Sequence, residues 1–308
     1  MKDIILPVLI LLLIVSASYF VGGSGSGLGN FFKDPFLFTP TEVQKKPSAT
    51  TVFERPPAKI EKPPVTIPAT PAPLQEIPEY LIPAGFKRDT LSPYFRKARI
   101  SSASYYAASG QPTTITLSSS LGKDEKLNIT GWKIKSNRRE VSIAQAIEVY
   151  EPNNLGLMED IILKGNNYLY LYSNESAIKR NFRLNKCTGY LENLYDFNPA
   201  LPKSCPTIPR SESTYLSGSC QSYIFSLGNC QLPDANIYNS FPGTDAGNAC
   251  REFLNTISFD ACFNRHKNDP DFLSAEWRLW VNDNILDSQH DRLWIFDKKG
   301  LLVDEYIY

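Results

Sequence analysis

The sequence predicts a mainly β chain. A sandwich or barrel of short strands carries a small cysteine-rich helical insertion, and a membrane helix and a proline-rich stalk precede it. Three observations predict this. Downstream of residue 94, short runs of alternating apolar and polar residues recur about every ten residues. All six cysteines fall between Cys187 and Cys262. The stretch Ile4–Val21 is almost wholly apolar, and about half of the 23 prolines lie between Pro35 and Pro83.

The apolar stretch is close to the minimum length for crossing a bilayer core of roughly 30 Å. Lys2 precedes it and the next basic residue is Lys33. The positive-inside rule then expects a single-pass membrane protein with a cytoplasmic N-terminus and an extracellular C-terminal domain. Ser16-Ala17-Ser18 offers the competing reading, a cleaved signal peptide and a secreted product. Residues 1–30 are thus read as the anchor and its Gly/Ser segment, with the lipid bilayer as a partner.

Residues 31–93 are read as the stalk. Pro56-Pro57, Pro63-Pro64 and the Pro68–Pro73 run favour polyproline II over helix or sheet. Fully extended at about 3.1 Å per residue, about fifty residues of this composition reach on the order of 150 Å. Lys+Arg and Asp+Glu are equal at 32 each, so there is no basic field and nucleic-acid binding is not favoured.

The folded region is expected over 94–308. Arg96–Ser101 is predicted as an edge strand, and Thr113–Ser118 alternates as a half-buried strand does. Leu127–Lys135 is predicted as one strand with a bulge at Gly131 that turns Trp132 inward. Val141–Tyr150 is a further candidate. Asp160–Leu163, the turn Lys164–Asn167 and Tyr168–Tyr172 read as a hairpin. The last hairpin is Leu293–Phe296, the turn Asp297-Lys298-Lys299-Gly300 and Leu301–Tyr308, with Gly300 suited to a positive φ. Trp132, Leu293, Ile295 and Leu302 are the predicted core. Trp132 alone carries a second reading, contact with a sugar or base.

The Gly131-Trp132 strand and the terminal hairpin of pattern Asp297-x-x-Gly300-Leu301-x-Val303-Asp304 resemble the opening and closing strands of a lamin-tail domain. That resemblance implies an immunoglobulin-like β-sandwich, here lengthened by an insertion at about 187–276. The layout of anchor, stalk and sandwich is similar to membrane-anchored bacterial proteins of this type. Lamin-tail domains are not themselves enzymes, so the resemblance implies binding or scaffolding and no cofactor.

Within the insertion, Cys220–Cys230 parallels Cys250–Cys262. Each has a bulky pair at +3/+4 (Tyr223/Ile224; Phe253/Leu254) and an apolar residue at +7 (Leu227; Ile257), which predicts two short helices with one apolar stripe each. An antiparallel helix pair would join Cys220 to Cys262 and Cys230 to Cys250, leaving Cys187 to Cys205. This is one of fifteen connectivities open to six cysteines. Such bridges would stabilise a satellite without a core of its own. Zinc is the alternative for Cys262-x3-His266, but no Cys-x2-Cys knuckle accompanies it and an exported chain favours disulfides.

Catalytic motifs are sparse. Gly23–Gly27 is a spacer rather than a serine-nucleophile elbow, and no phosphate-binding glycine loop occurs. Asp269/Asp271 and Asp283/Asp287/Asp291 with His290 are grouped carboxylates suited to Ca²⁺ or acid–base work. The simpler reading makes Asp269 a helix cap and the others a polar loop. Arg138-Arg139 and Lys179–Arg183 are local basic spots. The expectation is a non-enzymatic, cell-surface binding or scaffolding protein whose partner is an extracellular protein or a cell-envelope polymer. The alternative is an accessory DNA- or glycan-binding protein, or an extracellular hydrolase or nuclease with a carboxylate or metal site.

Overall fold

The computed structural model of the chain describes residues 77–105, 110–151, 156–287 and 292–308. The predicted anchor, residues 31–76 of the predicted stalk, His290 and Asp291 lie outside the described residues. Among the described residues, no helix is long and apolar enough to cross a membrane.

The strands are β1 (Ala98–Ser104), β2 (Thr114–Ser119), β3 (Leu127–Asn128), β4 (Lys133–Lys135), β5 (Glu140–Ser142), β6 (Ile162–Leu163), β7 (Tyr168–Tyr172), β8 (Phe182–Asn185), β9 (Leu273–Trp280), β10 (Arg292–Phe296) and β11 (Leu302–Ile307). One sheet runs β1-β2-β7-β9-β8, a second β11-β10-β4-β5, and β3 pairs with β6. The β7–β9 pair is parallel. Alternation places Ile115 and Leu117 of β2, Leu169 and Leu171 of β7, and Trp277 and Leu279 of β9 in one buried apolar cluster. Ile134, Leu293, Ile295 and Val303 of the second sheet belong to the same cluster. The arrangement is sheet-rich and compatible with a β-sandwich. Trp132, Leu293, Ile295 and Leu302 are all buried.

Three local expectations are corrected. Residues 160–172 do not form a hairpin: β6 pairs with β3, whereas β7 pairs with β2 and β9. The intervening turn is a corner pinned by Asn167, whose N–H donates to Ser119 Oγ at 2.9 Å and whose Oδ1 accepts from Lys164 N at 2.8 Å. Leu127–Lys135 is not one bulged strand. At Gly131 (φ 77°) the chain leaves the β3–β6 pair and joins the four-stranded sheet as β4. The folded region also starts before residue 94. Leu91 is fully buried and bridges to Leu302, and Ser92 Oγ donates to Asp297 Oδ2 at 2.7 Å.

The insertion connects β8 to β9, and the chain has rejoined the sheet by Leu273, earlier than the predicted 276. It holds α1 (Gly218–Ser226), α2 (Ala235–Ser240), α3 (Asp245–Asn255) and α4 (Phe259–His266). Ser217, Asp234, Thr244 and Ser258 cap their N-termini, each side chain accepting a backbone N–H of the first turn. The predicted second helix, Cys250–Cys262, is therefore two helices, interrupted where Ser258 caps α4.

That break corrects the disulfide pairing. The observed bridges are Cys187–Cys262, Cys205–Cys230 and Cys220–Cys250; none of the three predicted pairs forms. A continuous antiparallel pair would have set Cys262 beside Cys220. Instead α4 turns away and delivers Cys262 to Cys187 at the neck of the insertion. Cys230 lies beyond the end of α1 in a turn at φ 60°, so it does not extend the helical stripe. The insertion is no coreless satellite either. Leu191, Phe197, Ile224, Leu254 and Phe263 pack in one cluster with Tyr172, Phe182 and Trp280 of the five-stranded sheet.

Asp304 joins the two sheets at their edge. Its Oδ2 accepts from Ile100 N of β1 at 2.9 Å while its own strand, β11, belongs to the other sheet. Burial pushes the carboxyl up to about 6, against the pull of the Ile100 hydrogen bond and of Arg99 and Arg96. The folded state thus binds a proton that the unfolded chain has released between about pH 4 and 6. This contribution to stability is complete below pH 4 and is lost as pH rises through 6, a difference of ~3 kcal/mol. Asp304→Asn keeps an oxygen for Ile100 and removes the titration. Urea denaturation should find the variant more stable than the parent at pH 7.5, by about 1–3 kcal/mol, with the gap closing at pH 4.

Candidate functional site

An open cleft with a volume of about 290 Å³ lies beside the turn between β10 and β11. Trp132 lies at its base and Tyr94 beside it, with ring centroids 6.0 Å apart. Trp132 is only 2% exposed, so Tyr94 and Pro93 present most of the apolar wall. Trp132 packs in the core, as its first reading expects, and only borders the cleft.

The polar wall follows from the turn. Asp297 is buried, and its oxygens are consumed by the fold: Oδ1 accepts from Lys299 N (2.8 Å) and Leu301 N (3.0 Å), and Oδ2 from Ser92 Oγ. This locks the turn, with Gly300 at φ 78°, and leaves Lys298 and Lys299 exposed at the rim. Lys298 lays its alkyl stem over Gly131, where a Cβ would stand 3.2 Å from Cε. Neither lysine forms an ion pair within 4 Å among the described residues, though Lys298 lies near enough to Asp160 for its charge to help lower that carboxyl's pKa. Asp160 is held below the ordinary carboxylate range chiefly by the hydrogen bond from Asn128 Nδ2 (2.7 Å), then by that from Gln145. The same bond fixes the Asn128 amide at the cleft wall.

The other sequence candidates are engaged elsewhere. Asp283 pairs with Arg139, and Asp287 with Arg138 at 2.7 Å, so the basic spot neutralises the carboxylate group. Asp269 does not cap a helix, because the chain after Pro270 enters β9. Instead Lys186 Nζ donates to Asp269 (3.0 Å) and Asp271 (2.5 Å), and His266 Nδ1 lies 2.9 Å from Asp269. The Lys186 hydrogen bonds lower both carboxyls, with His266 a lesser cause at Asp269. This cluster clasps the neck of the insertion beside Cys187–Cys262. Cys262, the sulfur ligand of the zinc alternative, spends its sulfur on that disulfide. Among the described residues, no group of three or more His, Cys, Asp or Glu could hold a metal. A second cavity, between Tyr190, Ile257 and His266, encloses about 30 Å³, space for a water or two. Lys179 reaches Glu175, whereas Arg183 is buried against Glu148 and the Trp277 ring.

Sequence reasoning missed Tyr94, Asn128, Lys298 and Lys299 as one group. The only signal was the paired lysines of the terminal turn. Nothing in spacing links residues 94, 128 and 298, because the register of separate strands brings them together.

No family model, curated protein or solved structure matches the chain.

Proposed function

We propose that this chain is a non-enzymatic binding module displayed outside the cytoplasm. Its sheets form an immunoglobulin-like, lamin-tail-like β-sandwich, its apolar N-terminal stretch holds it to a membrane, and its proline-rich stretch spaces it from that membrane. The observation that carries the reading is the cysteine count: all six are bridged and, among the described residues, none is free. Such bridges persist in oxidising, extracytoplasmic compartments. The commitment of Asp269, Asp271, Asp283 and Asp287 to ion pairs supports binding over hydrolysis. The cleft beside the terminal turn is the ligand site in this reading, and an extracellular protein or cell-envelope polymer is the partner.

The test is to express the full-length chain with a C-terminal tag in a bacterial host. External protease should remove the tag from intact cells, and peptide mapping without reductant should find the three bridges. A protected tag with six reduced thiols would overturn the reading.

A further inference from the structure

We propose that the cleft between Tyr94, Trp132 and the Asp297–Lys299 turn binds a saccharide whose ring carries a carboxylate. The inference deepens the binding-module reading and rests on it. Three features of the cleft lead there.

The first is the pairing of an apolar wall with few fixed polar groups, the usual make-up of a small-molecule site. A pyranose has one apolar face of C–H groups and an edge of hydroxyls. Tyr94 and Pro93 match the face, and the Asn128 amide matches the edge. Asn128 is already oriented by its bonds to Asp160 and Thr130 N, so little ordering is lost on binding.

The second is charge. The one acidic side chain lining the cleft is Asp297, and its oxygens already accept three hydrogen bonds within the fold. The ammonium groups of Lys298 and Lys299 stand at the rim, on a turn that Asp297 keeps rigid. A carboxylate on the sugar meets both cations there; Lys298 also feels the Asp160 carboxylate behind Asn128, and Lys299 has no such neighbour within ion-pair distance among the described residues.

The third is size and surroundings. At about 290 Å³ the cleft is just below the range of roughly 300–1,000 Å³ that holds drug-sized ligands. A single sugar residue of a longer polymer fits that space. A nucleic acid would need a charged track for successive phosphates, whereas formal net charge here is zero. A peptide adding as a strand would need an open sheet edge, and this wall is made of side chains from separate segments.

The experiment is calorimetric titration of the full-length oxidised protein with trigalacturonate, maltotriose and inorganic phosphate. Trigalacturonate should bind about tenfold or more tighter than either control, and added salt should weaken it. Lys298→Gln with Lys299→Gln, which keeps most of the Lys298 stem over Gly131, should cost about tenfold in affinity with little change in unfolding midpoint. Tyr94→Leu should weaken the acidic and neutral sugars alike. Equal affinity for phosphate, equal affinity for maltotriose, an unchanged double-lysine variant or no binding of trigalacturonate would each overturn the site. Exported protein with three bridges that ignores trigalacturonate would sink this inference alone. Six free thiols would sink the binding-module reading beneath it.

Discussion

Alanine at both Cys187 and Cys262 is expected to lower the unfolding free energy by about 4 kcal/mol. This bridge spans 75 residues, against 25 and 30 for the other two, and a cross-link removes more unfolded-state freedom as its loop lengthens. The remaining bridges shorten the path. From Cys187 the chain reaches Cys205, crosses to Cys230, runs back to Cys220, crosses to Cys250 and continues to Cys262. Roughly 40 residues remain in that loop, which trims the entropy only slightly because the dependence is logarithmic. Guanidinium denaturation of the double variant, with the other two bridges verified by mass spectrometry, measures the effect. A loss below about 1 kcal/mol would mean that the ion cluster of Lys186, Asp269 and Asp271 already holds the neck shut.

Arg278→Ala should come next, with a loss of about 3 kcal/mol. The side chain projects from β9 and is 6% exposed. Its Nε donates to Glu276 at 2.6 Å, and its Nη1 to the carbonyls of Pro199 and Ala200 at 3.1 and 3.0 Å, while its guanidinium lies 5.7 Å from the centre of the Tyr172 ring. Truncation strands those acceptors beside the cavity it leaves. Lysine keeps the charge but lacks the planar fork, so Arg278→Lys should recover less than half of the loss. The ratio of the two variants' urea midpoints tests this. Full recovery by lysine would reduce the role of Arg278 to charge alone.

Strand positions were legible because period-two alternation is written locally, as in Thr113–Ser118 and the terminal hairpin. Pairing was not. Leu169 faces Trp277, more than a hundred residues away, and no local pattern encodes that register. The 160–172 segment looked like a hairpin because its turn chemistry is right; the buried contact of Asn167 with Ser119 overrides it. The cysteine pairing failed for a similar reason. Periodicity from Cys250 to Cys262 runs through Thr256-Ile257-Ser258 without a mark, and only the Ser258 cap shows that a new helix starts there. In the cleft, Trp132 and the lysine turn are each visible in the sequence, but their adjacency depends on β4 pairing with β10.

The parting of β8 and β9 has a bearing on how this protein could be altered. The two strands are antiparallel neighbours, with Asn185 opposite Leu273. Everything between them is therefore, in topological terms, an oversized hairpin loop. A short turn could bridge the same gap and leave every strand of the sheet in register. Exchange of the whole disulfide-bonded segment for another of unrelated shape is geometrically open, as when a lineage diversifies one surface on a constant frame. The constraint on such an exchange is that the replacement must still shelter Phe182 and Trp280. A bare turn would leave those rings in water at the end of the sheet, and the trimmed protein would be prone to self-association.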